Sequence, residues 1–327
     1  MDKIPISDEL IRSLNMQLCD AIIFETAYND DLNYKHDSVE TVYHYTDLNA
    51  LISIIEKQTL WATNLYFLND RNEFKHGISL IFEILEQVNN KNLEAYIREI
   101  QNEIDFIKRS DRYITCFSKN GDLLSQWRAY ASDGKGVSIG FNGRNLASAL
   151  NGHVSTKYIL YDREKQRKAV SRIISRGIDF FAERKPHIDY SGYDYEKTVA
   201  KSLLSFLESI IADYKDEGFA EEREYRLEYW VPDFQKEKFR QKAKYRTNGK
   251  FIIPYIELET QYQYYLRCSQ SEDFEMPTLT QTRLPIEEII VGPALNFDDV
   301  KPGIEYLLAK NGYSDVLVKH SCIPYRA

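Results

Sequence analysis

The chain has 327 residues, 43% of them hydrophobic and 13% aromatic, enough to build a substantial core in one large or two modest domains. A net charge of −8 argues against a surface that coats nucleic acid throughout, and no run of eighteen apolar residues marks a membrane span. The start, MDKIPISDELIRSL, lacks the basic lead and apolar stretch of a secretory signal, so the expected location is cytoplasmic.

Residues 7–28 place Leu10, Ile11, Leu14, Leu18 and Ile22 on one helical stripe, with Ser7 as the cap. VYHYT at 42–46 is a β-type run, and Asp47 caps the helix LNALISIIEK that follows it. LWATN at 60–64 reads as a strand, residues 76–109 as a long helical stretch, and RYITCFS at 112–118 as a strand again. GKGVSIGF at 134–141 has neither GxxxxGK[ST] nor a GxGxxG leading into a helix, so it is a turn and a strand rather than a phosphate loop. STKYILY at 155–161 adds a strand. Two helices follow, at about 163–186 and 194–215, separated by the turn-rich HIDYSGYDY. The rest reads as strands at about 222–231, 251–258, 287–292 and 315–321, with a helix near 297–311. Strands and helices alternate without a regular βαβ beat, which points to α+β around a mixed or antiparallel sheet.

Little in this sequence announces metal or triad chemistry. The histidines at 36, 44, 76, 153, 187 and 320 show no i, i+4 pairing, and Cys19, Cys116, Cys268 and Cys322 form no CxxC pair, so no metal is expected. There is no GxSxG elbow. Two places attract attention. His44 sits mid-strand between Tyr43 and Tyr45, either as a satisfied structural group or as a ligand-binding one. FAEEREYRLEYW, residues 219–230, puts Glu222, Glu224, Arg226 and Glu228 on one strand face and Tyr225, Leu227 and Tyr229 on the other. That charged ladder is either a solvated strand face or a catalytic carboxylate presented from a rigid strand.

The order of several motifs supports a resemblance. HYT at 44–46, LW at 60–61, LND at 68–70 with Glu73, CFS at 116–118 and D-x-x-S-x-W-x-x-Y from Asp122 to Tyr130 come first. GVSIGF at 136–141, EREYR at 222–226, VGP at 291–293 and S-x-IPYR from Ser321 to Arg326 follow. Together, over roughly residues 40–327, they resemble a bacterial family known as domain of unknown function 2971. Members of that family often look like parts of phage-defence or toxin systems, and the layout is similar to the ADP-ribosyltransferase fold. The resemblance implies a helical segment over residues 1–40 and one ADP-ribosyltransferase-like domain over 41–327, with helical insertions at about 76–109 and 163–215.

It also implies chemistry. His44 would hydrogen-bond a ribose hydroxyl of NAD, Ser118 would be the middle-strand residue, and Glu224 the late-strand glutamate, with Glu222 beside it orienting the acceptor or holding Arg226. CFSKN stands where the larger superfamily has a serine-threonine-serine triplet. Breaking the bond between nicotinamide and ribose develops an oxocarbenium-like charge that a fixed carboxylate stabilises. Tyr45 and Thr46 follow His44 and would join it at the NAD site, and Tyr45, Trp61, Tyr66 and Trp127 are candidate aromatic walls for nicotinamide. Trp127 is equally a core residue.

Charge is unevenly placed: residues 236–250 carry seven basic residues against one acidic, and 162–176 are basic too. These are either solvated faces or a landing site for an anionic acceptor, nucleic acid or acidic protein, through Lys242, Lys244 and Arg246. The expected function is NAD-dependent ADP-ribosyl transfer to a macromolecule, with NAD as substrate and an antitoxin or defence-system protein as partner. The alternatives are an NAD glycohydrolase and a sensing module that binds a nucleotide or phage component without turnover.

Overall fold

A computed structural model describes residues 3–28, 41–67, 71–87, 94–103, 112–231, 241–247, 249–269, 277–279 and 282–325. In chain order its strands begin with β1 (Ile4–Pro5), β2 (Thr41–Thr46), β3 (Thr59–Asn64), β4 (Arg112–Ser118), β5 (Val137–Asn142) and β6 (Val154–Tyr158). They continue with β7 (Ile188–Asp189), β8 (Glu224–Trp230), β9 (Lys244–Thr247), β10 (Ile252–Glu259), β11 (Ile286–Val291) and β12 (Leu317–His320). The architecture is α+β with a mixed sheet, and the chain divides into two compact units.

The first unit comprises Met1–Lys35, Leu68–Ser110 and Leu160–Phe219. Its helices Asp8–Tyr28, Arg71–Gln87, Glu94–Glu103, Arg163–Arg184 and Tyr195–Ile211 bury one apolar core that includes Leu18, Ile81, Ile100, Val170, Phe181 and Leu204. Helices Arg163–Arg184 and Tyr195–Ile211 approach closely at Gly177, where an added Cβ would lie 2.0 Å from Leu203 Cδ2. The small parallel pair β1–β7 completes this unit. Among the described residues no helix is long and apolar enough to cross a membrane.

The second unit, His36–Phe67, Asp111–Ile159 and Ala220–Ala327, holds the large sheet. Its main path runs β12-β11-β5-β2-β4-β3-β10-β9, with β8 on β4 and β6 on β8. Neighbours are antiparallel except β11 and β12. Side chains alternate along each strand, so Val42, Leu60, Phe117, Phe141, Leu227 and Ile289 fall on one face and form the core. Helices Leu48–Lys57, Gly143–Ala149 and Phe297–Lys310 cover that face with Leu51, Leu146 and Ile304. The first of these starts where Asp47 accepts the Ala50 amide at 2.8 Å and stops where Gln58 turns left-handed at φ 54°. The opposite face carries a smaller cluster of Tyr45, Trp127, Ala131 and Ile290, and then polar residues.

At the charged strand an expectation differs from the structure. The charged strand begins at Glu224, because Arg223 adopts a left-handed φ of 43° and leaves Glu222 at the end of the 3-10 turn Glu217–Glu222. Glu222 and Glu224 therefore do not share a strand face. The described part of the basic segment is the edge strand β9, hydrogen-bonded to β10. Residues 236–240 and Asn248, also in that segment, lie outside the described residues.

The turn from helix Leu124–Tyr130 into β5 runs through Ser132, Asp133 and Gly134, all at positive φ, and then Gly136. A Cβ on Gly136 would meet the Thr46 carbonyl oxygen at 2.1 Å and that of Ala131 at 3.0 Å, both main-chain atoms that have nowhere to go. Gly136→Ala is expected to lower stability by about 3 kcal/mol, as overpacking against backbone does. Urea denaturation measures it, and an unchanged midpoint would contradict this close approach.

Candidate functional site

β4 serves three neighbours. Along one edge it pairs with β8 from Arg112↔Trp230 to Ser118↔Glu224. Along the other it meets β3 only at Tyr113 and Ile114, and β2 only at Ser118. Between those contacts β2 and β3 part, and main-chain groups at the fork, on β3 as well as β4, lie outside the regular ladder and must be satisfied some other way in a buried sheet. Side chains do it. His44 Nδ1 donates to the Cys116 carbonyl at 3.0 Å, and Thr115 Oγ1 donates to the Trp61 carbonyl at 3.0 Å. A carbonyl only accepts, so His44 carries its proton on Nδ1. Its ring packs 5.5 Å from Phe117, and burial lowers its pKa below the usual histidine value, only partly offset by the Cys116 bond.

The registers Tyr43↔Ser118, Thr63↔Ile114 and Ser118↔Glu224 put the side chains of Tyr43, Tyr45, Trp61, Thr63, Ser118, Cys116, Glu224 and Arg226 on the second sheet face. Here Arg226, only 2% exposed, grips Glu224, 7% exposed, at both oxygens: Nε to Oε1 at 2.6 Å and Nη2 to Oε2 at 3.0 Å. Two residues along β8, Glu228 bonds Arg112 and lies 3.7 Å from Lys157 Nζ. Ser118 Oγ donates to the Glu222 carbonyl at 2.7 Å and accepts the Asn120 amide at 3.0 Å.

A second set of bonds supports that loop. Tyr45 Oη donates to the Asn120 carbonyl at 2.8 Å and accepts the Leu123 amide at 2.9 Å. The Tyr45 ring stands edge-on to Trp127 at 4.9 Å. Trp127 Nε1 donates to Asp122 Oδ1 at 2.7 Å, and Asp122 also accepts from Ser321 Oγ at 2.6 Å and from the Cys322 amide at 2.7 Å. The motifs around Asp122 and Ser321 are thus two halves of one clasp.

On the arm formed by β3, β10 and β9, Trp61 is 43% exposed and stacks on Tyr255 with centroids 4.3 Å apart at 32°. Lys244 Nζ bonds Glu257 at 2.7 Å, and Arg246 Nη2 donates to Thr63 Oγ1 at 3.0 Å.

The structure therefore brings Ser118 and Glu224 together, with Tyr45 and Trp127 behind the Ser118 loop and Trp61 on the same face. It places His44 and Thr46 on the opposite, core-facing side, where His44 bridges the fork. Glu222 meets Ser118 through its main-chain carbonyl. Trp127, fully buried, is core. The side chain of Tyr66 lies outside the described residues. No cluster of metal-ligating side chains occurs among the described residues. Arg226 as the partner of Glu224, Asp122 as the clasp and Tyr255 as the floor beneath Trp61 were not anticipated. The first had a visible signal, the E-x-R alternation on one strand face.

Residues 126–227 match the model of a family described as protein of unknown function DUF2971. The match supports the resemblance to that family and reaches into the charged strand as far as Leu227, although it is narrower than the motif order. No curated protein and no solved structure matches the chain.

His44 yields a stability prediction. His44→Ala leaves the Cys116 carbonyl without this donor and is expected to cost about 1–3 kcal/mol, whereas the side-chain amide of His44→Asn retains a donor near the Nδ1 position. Because folding lowers the His44 pKa, the unfolded chain takes up the proton first. The contribution is whole above the unfolded value of about 6.5 and is lost as pH falls below it. Urea midpoints at pH 7.5 and 5.5 should fall further apart in the natural protein than in His44→Asn; equal differences would assign the pH dependence to other groups.

Proposed function

We propose that the protein is an NAD-dependent ADP-ribosyltransferase that modifies a macromolecule, in an anti-phage defence or toxin setting. The observation that carries the reading is the direct opposition of Ser118 and Glu224 across β4 and β8, on one sheet face, with the carboxylate fixed at both oxygens by Arg226. Two buried polar side chains on adjacent, fully paired strands suit a ribose, which offers hydroxyls at close spacing and needs partners that do not move. In the proposed reaction the bond from the nicotinamide nitrogen to the ribose carbon breaks and nicotinamide leaves with the electron pair. A lone pair of the acceptor closes the new bond to that carbon, and the acceptor's proton passes to a base.

Glu224 stabilises the positive charge that develops on the ribose, and its value lies in being held before the charge appears. Arg226 is the positioning residue. Ser118 is held in turn by the Asn120 amide, and Tyr45 fixes the Asn120 carbonyl. Glu222, whose main-chain carbonyl accepts the Ser118 hydrogen bond, orients the acceptor nucleophile. His44 takes no part, since its ring lies on the other face. Arg246 and Lys242 serve the acceptor, while Lys244 is bonded to Glu257.

A second reading has its own support. Arg226 engages both oxygens of Glu224 and offsets its charge, which suits a module that binds a nucleotide without turnover.

Purified protein incubated with NAD labelled in its adenylate half and with cell lysate separates the readings. Transfer labels a macromolecule, hydrolysis releases free ADP-ribose, and a binding module leaves NAD intact. Glu224→Gln is expected to reduce NAD cleavage at least about a hundredfold, as loss of one preorganised electrostatic group does. It also takes the carboxylate charge away from the buried Arg226 guanidinium, at a cost of about 3 kcal/mol or more. The double variant Glu224→Gln/Arg226→Met removes both charges and should regain stability while remaining inactive. Full NAD cleavage by a folded Glu224→Gln protein would end the transferase reading.

A further inference from the structure

We infer that the macromolecular acceptor is a single-stranded nucleic acid, seated on the Trp61–Tyr255 stack with its phosphates met by Arg246. This rests on the transfer reading for what happens to the strand, but the surface stands on its own geometry. Trp61 is a large apolar side chain left 43% exposed, and its ring is not loose: it lies on Tyr255 at 4.3 Å. A rigid, half-exposed indole is a platform for another flat ring, and every nucleobase has one. The charge beside it is specific too. Lys244 is occupied by Glu257, whereas Arg246 is steadied by the neutral Thr63 hydroxyl and has no carboxylate partner among the described residues. A guanidinium held by a neutral group beside an aromatic step is suited to a phosphate, which it can meet with two N–H groups. Lys242, exposed just ahead of β9, adds a second cation.

The registers put Lys244 and Arg246 on the face of Tyr255 and Thr63, the face that also carries Ser118, Cys116 and Glu224. With strands spaced about 4.8 Å apart, β3 stands roughly 10 Å from β8 across β4. A strand lying over Trp61 therefore presents neighbouring nucleotides toward Glu224. An acidic protein would use Arg246 but gain nothing from the indole, and a duplex keeps its base faces inside its own stack. Trp61 is thus assigned to the acceptor rather than to nicotinamide.

Fluorescence anisotropy without NAD tests this, using a labelled mixed-sequence 20-nucleotide single strand as DNA and as RNA, the corresponding duplexes, and polyglutamate. Either single strand should bind at least about tenfold more tightly than the duplexes or polyglutamate, and more weakly as salt rises. Trp61→Leu should lose roughly ten- to a hundredfold in affinity, the range of one lost base stack, while Trp61→Phe retains most of it. Arg246→Gln should weaken binding and flatten the salt dependence. Preference for duplex or polyglutamate, binding by Trp61→Leu equal to that of the natural protein, or failure of both single strands to bind overturns the inference. Trp61-dependent binding with NAD left intact would overturn the transfer reading alone, and labelled NAD turnover without strand binding would overturn this inference alone.

Discussion

Everything on the polar face of the sheet depends on β4 being shared by three strands. A central strand in an ordinary sheet spends both edges on two neighbours. β4 gives one edge wholly to β8 and divides the other between the ends of β2 and β3. Dividing it brings two arms to one strand, the β12-β11-β5-β2 arm and the β9-β10-β3 arm, so Ser118, Glu224 and Trp61 come to share a face although they arise from distant segments. Main-chain groups at the division need partners, and His44 and Thr115 supply them from their side chains.

The charged ladder is a cost set against that gain. Bringing Glu224 and Arg226 out of water is expensive, and a buried pair often contributes no more stability than packed apolar residues of similar size. Both are buried, and their bidentate contact fixes the carboxylate with little freedom to rotate. Apolar side chains would serve the fold as well. A costly, well-oriented carboxylate beside Ser118 is a placement that stability alone does not call for.

Much of the fold is legible in the sequence because local patterns carry it. The alternation in VYHYT, RYITCFS and EYRLEYW marks β2, β4 and β8, and helical spacing with acidic caps marks Leu48–Lys57 and Arg163–Arg184. Glu222 is misassigned to the strand because nothing in EEREYR reveals that Arg223 turns left-handed; an arginine there has no compositional mark, unlike glycine. β9 is hidden by its own charge, since a strand at a sheet edge, exposed at all four positions, has no apolar alternation to display. The site is legible in its parts and not in its grouping. Glu224 and Ser118 stand out singly, but that His44 faces away from Ser118 follows from pairings between segments far apart in the chain.

The clasp at Asp122 has a consequence in time. Its carboxylate bonds Ser321 and Cys322, about two hundred residues further along the chain. At a synthesis rate of roughly 5–20 residues per second, Asp122 and Trp127 wait on the order of 10–40 s after emerging before those partners exist. Over that interval Tyr45, made earlier, is at hand to pack on Trp127 and bond Asn120 and Leu123, but Asp122 lacks its two later partners, and contacts of such long range are slow to form even once the chain is whole. The nascent protein thus holds the Ser118 loop from the Tyr45 side until Glu222, and then Ser321 and Cys322, have been made.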